Sequence, residues 1–471
     1  IPYLPTNTAP GHTCIYTGSI PAIHGIVGNN WFDKSTGKNI YCTYDSTVLP
    51  VGGSNTWGKE SPRNLLTTTI GDELRLSNNF KSKVFGISLK DRASILPAGR
   101  SANAAFWYDE SLGKWITSNY YMNELPEWLK KINDENLPDK YMSKDWNTLL
   151  PINMYNLSTK DSVIFEQQIP GENSVIFPHK LSQIKNKKYE AFKTTPFANT
   201  FTLHLAKKLI ENEKLGTNSV TDFLAINISS TDFIGHAFGP NSIEVEDAYL
   251  RLDIDIADFL KNLDNKLGKG NYLLFLSADH GVAHVPGFLE EHNLPGGLMN
   301  QSVLRNDINK FLENSYSIKN GVLNIQNYDL YLNTSELVKK HNWMEIKQAI
   351  IDYLKQQPYI IDAFENEKLA TTTIPEPIKQ RLINGYNNQR SGDIHLLLKP
   401  GFIDRSPMGA THGSWYPYDS HIPLIWFGWN IQHGITNRET YMTDIAPTIA
   451  ALLKIQMPSG SVGKVIEEVV K

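Results

Sequence analysis

The sequence predicts an α/β fold: a doubly wound, mostly parallel sheet covered by helices, with insertions and a small α/β subdomain. Short apolar runs alternate with helical patterns along much of the chain, which is typical of such a sheet. A long amphipathic segment lies between two of the runs, as a crossover between parallel strands requires. Polar clusters follow the runs, at the edge where open α/β sheets bind their ligands.

The first predicted element is a helix in "TNTAPGHTCIYTG", residues 6–18. Thr8 is a suitable N-cap, Pro10 suits the first turn, and Gly18 suits the helix end. A hydroxyl at a helix N-terminus lies where free N–H groups and the dipole attract an anion. Taken alone, the pattern favours an ordinary capped helix. Thr8 can be interpreted as a nucleophile only if residues elsewhere in the chain can activate its hydroxyl.

The main sheet is predicted from four apolar runs, at residues 83–88, 222–229, 271–278 and 421–428. Between the middle two, residues 250–256 alternate apolar and polar as a strand would. From Val245 to Leu267, however, the apolar residues keep a helical spacing over a much longer window. We therefore predict an amphipathic helix there.

Three regions are predicted along the chain. Residues 1–299 and 401–471 form the core, and the aromatic-rich stretch 104–200 is an irregular insertion over the sheet edge. Residues 300–400 form a small α/β subdomain, because helical and strand patterns alternate again. Its predicted elements are helix 301–314, strand 327–333, helix 336–356, strand 359–366 and strand 392–399.

Composition excludes several classes of protein. The 471 residues carry a formal net charge of -4 with no long run of one sign, which argues against a nucleic-acid partner. No apolar run is long enough for a membrane span. Two cysteines, Cys14 and Cys42, are too few for a disulfide scaffold, so buried thiols are expected. A Cys14–Cys42 bridge stays open as an alternative for an exported protein.

Three polar clusters contain residues that bind metals. Asp232 and His236 follow the second predicted strand, Asp279 and His280 follow the third, and His412 lies in a Gly-flanked loop before the fourth. Each alone is more often a cap or loop residue. Three imidazoles and two carboxylates together suit zinc, and five ligands exceed the need of one tetrahedral ion. The pattern therefore favours two ions.

Several separated motifs resemble the alkaline phosphatase superfamily, and within it the bacterial phosphate-irrepressible branch. They are Thr-x-Pro-Gly-His, "GNNW", "SLKDR", the Asp/His clusters in this order, and "YMTDIAPTIAALL" at 441–453. The likeness covers essentially the whole chain. It implies a two-zinc phosphate monoester hydrolase that forms a phosphothreonine intermediate. It also implies a monomer in the periplasm or outside a bacterial cell, with small phosphate monoesters as substrates and no nucleic-acid partner.

The resemblance assigns a role to each matching residue. A threonine hydroxyl is too weakly acidic to attack unaided at neutral pH, and zinc supplies the activation. Lys90 and Arg92 are two residues apart at a strand end; without the other motifs they would be interpreted as surface charges. The implied roles are Thr8 as nucleophile, Asn29, Lys90 and Arg92 as phosphoryl ligands, Asp232, His236 and His412 on one zinc, and Asp279, His280 and the Thr8 oxygen on the second.

The chain departs from the superfamily at its start. Members carry an earlier strand that ends in a metal-binding Asp, whereas the residues before Thr8 include no acidic side chain. We expect the natural chain to begin upstream, with that strand and an export signal. Two alternatives stay open: a nucleotide phosphodiesterase of the same superfamily, and a non-catalytic remnant that binds metal or phosphate.

Overall fold

The chain folds into a main sheet with helices on its faces and a smaller sheet built from residues after 300. The computed structural model describes residues 1–54, 57–340, 343–404 and 407–470. Within them the α-helices, α1 to α18 in chain order, are Thr8–Thr17, Pro21–His24, Ile70–Ser77, Asp91–Ala98, Glu127–Asp134, Leu137–Met142, Lys188–Phe192, Phe197–Asn212, Ser230–Phe238, Ile243–Leu267, Pro286–Glu291, Gln301–Tyr316, Thr334–Lys340, Trp343–Lys355, Ile378–Gly385, Pro417–Ser420, Ile445–Leu453 and Glu467–Val470.

The strands are short, and many are buried on both faces. In the same described ranges they are numbered β1 to β15 and span Asn30–Asp33, Lys38–Tyr41, Pro50–Val51, Val84–Ile87, Ala104–Asp109, Lys114–Ser118, Phe223–Ile226, Leu273–Ser277, Gly297–Met299, Val322–Gln326, Asp329–Leu332, Ile360–Glu365, Ile394–Leu398, Phe402–Asp404 and Leu424–Gly428. Single 3₁₀ turns lie at Ile152–Met154, Leu181–Gln183, Asn366–Lys368 and Met442–Asp444.

The main sheet has the strand order β3-β6-β5-β4-β7. Strand β4 pairs in parallel with β5 and β7, whereas β6 is antiparallel to both β5 and β3. Strands β8 and β15 form a separate antiparallel pair. The predicted α/β fold is confirmed, but the sheet is mixed rather than mostly parallel, because the short β5–β6 connection can join only antiparallel strands.

The stretch 104–200 does not start as an irregular insertion. Its first residues form β5 and β6, and all six residues of β5 are buried in the main sheet. The insertion prediction is therefore wrong for residues 104–118. The aromatic residues that suggested irregularity, such as Trp107 and Trp115, are common in strands because they pack well on a pleated surface.

Helix α10 confirms the prediction made from the long spacing. It runs from Ile243 to Leu267, and the Ser242 side chain caps it by accepting a hydrogen bond from Val245 N. Phe259 and Leu263 are buried against the main core. No helix in the described part of the chain has both the length and the apolar character needed to cross a bilayer.

The smaller sheet has the order β10-β11-β13-β12 and is antiparallel throughout. Helices α12 and α14 contribute Leu304, Ile308, Ile346 and Ile350 to its own apolar core. The three predicted strands here are confirmed, and β10 was not predicted. The helix predicted over 336–356 is two helices, α13 and α14, and its residues 341–342 lie outside the described ranges.

Candidate functional site

Helix α1 carries Thr8 into the interior. The prediction that Thr8 is the N-cap is wrong by one residue, because Asn7 has the extended backbone of a cap and Thr8 is the first helical residue. Gly18 ends the helix as predicted, with a φ of 64°. All ten helical residues are buried, and Thr8 Oγ1 lies 3.4 Å from His280 Nε2. The hydroxyl is therefore placed against one of the predicted metal-binding clusters.

The Asp/His clusters meet at this point. Asp232 and His236 are four residues apart on α9 and so share one face of the helix. The Nε2 atoms of His236, His280 and His412 lie 3.4, 3.8 and 3.9 Å from Asp232 Oδ1. Asp279 Oδ2 lies 3.2 Å from His280 Nε2. All five predicted metal-binding residues are thus brought together.

Backbone carbonyls orient the three imidazole rings. His236 Nδ1 donates to Ala410 O at 2.8 Å, His280 Nδ1 to Gly281 O at 2.9 Å, and His412 Nδ1 to Thr6 O at 2.7 Å. A neutral ring that donates from Nδ1 has an unprotonated Nε2, which can act as a ligand atom. Each histidine therefore presents the same nitrogen to the shared centre.

The charges of the cluster fit a bound cation. Burial opposes ionisation of Asp232, but the adjacent histidines and Lys90 hold its pKa well below the usual range. Burial and the neighbouring His280 and His236 hold the pKa of His412 well below the usual histidine value. Metal binding needs this combination of ionised carboxylate and neutral imidazole. Ligand atoms of Asp232, His236 and His412 lie within 4.8 Å of one another, close enough to share one ion.

Lys90 contacts the Asp/His cluster, and Asn29 contacts the residue after Thr8. Lys90 precedes the first residue of α4, and its Nζ lies 2.5 Å from Asp232 Oδ2 and 4.9 Å from the centre of the Phe233 ring. Asn29 Oδ1 accepts a hydrogen bond from Ala9 N at 2.9 Å. Since its oxygen is used in this way, the Asn29 amide can offer its N–H groups to a ligand beside Thr8.

Arg92 is held by a different network. Its Nη1 donates to Tyr41 Oη at 3.1 Å, and Tyr41 Oη donates to Asp91 Oδ1 at 2.5 Å. Arg92 Nε is buried and has no hydrogen-bond partner among the described residues. Among those residues, no ion pair joins Arg92 to the Asp/His cluster; its carboxylate neighbour is Asp91, 4.0 Å away. The structure therefore places Arg92 beside the cluster rather than in it.

His12 is a site residue that the sequence analysis did not single out. Its Nε2 accepts from Asn227 Nδ2 at 3.0 Å and lies 3.6 Å from Asp279 Oδ2. Burial lowers the pKa of His12 to about 4, against the opposing effect of Asp279, so the ring is neutral. The sequence feature that could have identified His12 is its position in the Thr-x-Pro-Gly-His motif. It lies four residues after Thr8, about one helical turn along α1.

Both cysteines lie near this region as free, buried thiols. Cys14 Sγ contacts His24 Nε2 at 3.3 Å, and Cys42 packs in the apolar cluster that includes Ala9. The expectation of buried thiols is confirmed, and the structure contains no Cys14–Cys42 bridge. Burial raises the pKa of both thiols well above the usual value.

Comparisons with known proteins show which family and which enzymes the chain is similar to. The family described as type I phosphodiesterase / nucleotide pyrophosphatase matches residues 1–415. The alkaline phosphatase PhoV of Synechococcus elongatus is 49% identical over 471 residues, covering 100% of this chain and 85% of that protein. The alkaline phosphatase PafA of Elizabethkingia meningoseptica is 49% identical over 474 residues, covering 100% and 87%. A crystal structure of wild-type PafA superposes with a TM-score of 0.97 and covers 100% of this chain and 91% of that one.

Proposed function

Because the chain belongs to the type I phosphodiesterase / nucleotide pyrophosphatase family of the alkaline phosphatase superfamily and is itself an alkaline phosphatase, we propose that it hydrolyses phosphate monoesters through Thr8 and two zinc ions. One observation carries this proposal: Thr8 Oγ1 lies 3.4 Å from His280 in the cluster where Asp232, His236 and His412 converge. The Thr8 hydroxyl, the metal-binding side chains of the Asp/His cluster and the Lys90 cation could then act on one phosphoryl group.

The proposed ligand sets follow the two groups of residues in the site. Asp232, His236 and His412 hold one zinc, and Asp279 and His280 hold the second beside the Thr8 oxygen. When bound, the ions supply positive charge that lowers the pKa of a nearby hydroxyl and neutralises negative charge on oxygen. The ionised Asp232 and the neutral His412 described above support this assignment for the first ion.

In the proposed reaction the Thr8 oxygen attacks phosphorus and forms an O–P bond, while the bond from phosphorus to the leaving oxygen breaks. Water then attacks the phosphothreonine, releases inorganic phosphate and restores the Thr8 hydroxyl. Lys90, Arg92 and Asn29 donate to the non-bridging oxygens, over which the transition state spreads its charge. Arg92 offers a planar fork and Lys90 a point charge, so together they favour a group with two negative charges.

A nucleotide phosphodiesterase is the second candidate, and the family match favours it. A diester carries one negative charge and an extra substituent at phosphorus, so it needs less cationic charge and more room. Lys90 and Arg92, both largely buried next to the site, support the monoesterase instead. The third candidate, a non-catalytic remnant that binds metal or phosphate, predicts zinc or phosphate binding without turnover.

A single comparison of rates tests the proposal. The purified protein is assayed on aryl monophosphate, aryl phosphodiester and aryl sulfate, before and after chelation, and its metal content is measured in parallel. We expect about two zinc ions per chain, the highest kcat/KM on the monophosphate, and loss of activity on chelation that added zinc restores. Preference for the diester would support the second candidate, and zinc without turnover would support the third.

Location and assembly are part of the same proposal. We expect the protein in the periplasm or the medium, acting as a monomer, as the superfamily resemblance implies. Cell fractionation with phosphatase assays tests the first expectation. Light scattering on the purified protein tests the second, and a dimer at micromolar concentration would contradict it.

A further inference from the structure

The loop between β10 and β11 is a two-residue turn with an unusual backbone. Gln326 pairs with Asp329, and the turn residues Asn327 and Tyr328 have φ angles of 57° and 64°. Positive φ at both positions is typical of a type I′ hairpin turn, and Asn-Gly is a favoured pair there because glycine adopts this conformation freely. Tyr328 is poorly suited to it. A bulky side chain at this position indicates that its contacts offset the backbone strain.

The Asn327 side chain joins two segments of the catalytic core. Asn327 Oδ1 accepts a hydrogen bond from Asn7 Nδ2 at 3.1 Å, and Asn327 Nδ2 donates to Asn30 O at 2.6 Å. Asn7 precedes the nucleophile candidate Thr8, and Asn30 follows the phosphoryl-ligand candidate Asn29. The Asn7 side chain makes no capping hydrogen bond to α1. One carboxamide thus spans the two segments that must align for attack.

Two glycines show how closely the turn approaches the core. A Cβ on Gly28 would lie 2.2 Å from Asn327 Nδ2, too close for any side chain without movement. A Cβ on Gly413 would lie 2.9 Å from Tyr328 Cε2. Gly413 follows the metal-ligand candidate His412. The turn therefore contacts a third segment of the site, and a Cβ at either glycine would displace a side chain of the turn.

We infer that Asn327 is a positioning residue, which aligns Thr8 with Asn29 through hydrogen bonds to their neighbours; this inference rests on the proposed function. The β10–β11 hairpin belongs to the smaller sheet, and the turn residue Tyr328 packs against the separate core of that sheet. Misplacement of reacting groups by a fraction of a bond length already costs rate. The turn acts on the reaction by fixing the separation of two segments, without touching substrate.

The test compares Asn327→Gly with Asn324→Ala. Glycine preserves the positive φ of the turn and removes only the carboxamide. Asn324 is a matched control on the same hairpin, because its Nδ2 donates to Asn39 Oδ1 at 3.1 Å and so forms a similar bond from the smaller sheet to the core. On aryl monophosphate we expect Asn327→Gly to lower kcat roughly ten- to a hundredfold, and Asn324→Ala to leave kcat unchanged.

Two further measurements decide the role. Thermal melts report the folded fraction, so rates are compared per folded protein. In an Asn29→Ala background, Asn327→Gly should have a smaller effect than in the wild type, because one of the aligned groups is already absent. Additive effects, or equal losses in Asn324→Ala and Asn327→Gly, would overturn the inference. An inactive wild-type protein would instead refute the proposed function, and an active wild type with an unaffected Asn327→Gly variant would refute this inference alone.

Discussion

Lys90 Nζ lies 2.5 Å from Asp232 Oδ2, so a cation proposed to bind the phosphoryl group contacts a carboxylate proposed to bind zinc. The Lys90 side chain is 6% exposed, so salt screens this contact less than it screens a surface ion pair. The ammonium group therefore contacts the Asp/His cluster that also includes His280, which lies 3.4 Å from Thr8 Oγ1. In the proposed function its charge would neutralise a phosphoryl oxygen.

The first prediction concerns this pair of cations. Lys90→Ala with Arg92→Ala should lower kcat/KM for aryl monophosphate by about a hundredfold or more, because preorganised donors to the charged oxygens are lost. The loss on aryl diester should be much smaller, since one charged oxygen is esterified. Lys193→Ala is the control: Lys193 Nζ also lies over the Phe233 ring, at 5.0 Å, but pairs with Glu110. Equal losses on both substrates would contradict the phosphoryl-binding role.

The second prediction concerns the nucleophile. Thr8→Ala should lower turnover by at least about a thousandfold, as removal of other nucleophiles does. Thr8→Ser should retain partial activity because the hydroxyl survives. Thr17→Ala is a control in the same helix. The Thr17 hydroxyl donates to Thr13 O and accepts from Ser19 N, and neither residue belongs to the candidate site. Near-wild-type steady-state rates for Thr8→Ala would exclude Thr8 as the nucleophile.

The third prediction concerns Tyr41, which orients Arg92. Tyr41→Phe removes the oxygen that accepts from Arg92 Nη1 and donates to Asp91. We expect kcat/KM for aryl monophosphate to fall roughly fivefold, the value of one hydrogen bond. In an Arg92→Ala background the same change should have no effect, whereas an undiminished effect there would exclude positioning through Arg92. Tyr44→Phe, at a side chain 46% exposed, is the control.

The fourth prediction compares two helical glycines. A Cβ on Gly11 would lie 2.6 Å from Asp279 O and 2.7 Å from Asp279 Cβ, so Gly11→Ala must displace α1 or the metal-ligand candidate. We expect a loss of about 1–3 kcal/mol in the free energy of unfolding, together with weaker zinc binding. Gly235→Ala meets nothing within 4 Å and should be neutral or slightly stabilising. Denaturant unfolding and zinc titration measure both, and a stable, zinc-replete Gly11→Ala variant would contradict the prediction.

The fifth prediction concerns a buried histidine outside the site. His179 Nδ1 lies 2.9 Å from Glu172 Oε2, and its Nε2 lies 3.3 Å from Glu244 Oε1. Burial opposes its protonation, but these two carboxylates raise the pKa of His179 from 6.5 to about 9. A pKa raised by folding stabilises the protein below 6.5, and this stabilisation is lost as pH rises to about 9.

Two nearby carboxyl groups, Glu166 and Asp161, also face this triad. Burial and Glu244 raise the pKa of Glu166 to about 9, which likewise lowers stability as pH rises. The melting temperature should therefore fall between pH 6.5 and pH 9. His179→Gln should lower the melting temperature at pH 6.5 and flatten this dependence, whereas the exposed control His433→Gln should change neither. An unchanged slope in His179→Gln would assign the dependence to other groups.

Much of the site could be predicted because its residues are marked by short sequence patterns. Asp232 and His236 share a helix face through their spacing, and the strands preceding them and Asp279 are short apolar runs. Such patterns depend on the periodicity of apolar residues and on the residues next to them, and both can be read from the sequence. The resemblance to a superfamily then added roles that spacing alone does not provide.

Other features depend on contacts between distant residues. Residues 104–118 became sheet strands because β5 pairs with β4, a partner that no local pattern identifies. Arg92 lies on the Tyr41–Asp91 network rather than against the Asp/His cluster for a similar reason.

The sequence by itself determined the α/β class, the long helix α10, the order of the motifs and the residue types of the site. Only the tertiary structure decided that the sheet is mixed, that His12 contacts Asp279, and that Asn327 spans the segments next to Thr8 and Asn29. The physical reason is the separation along the chain over which each kind of interaction acts. Periodicity and capping act over one or two helical turns, whereas strand pairing and side-chain contacts join residues hundreds of positions apart, and their partners are selected by packing of the whole chain.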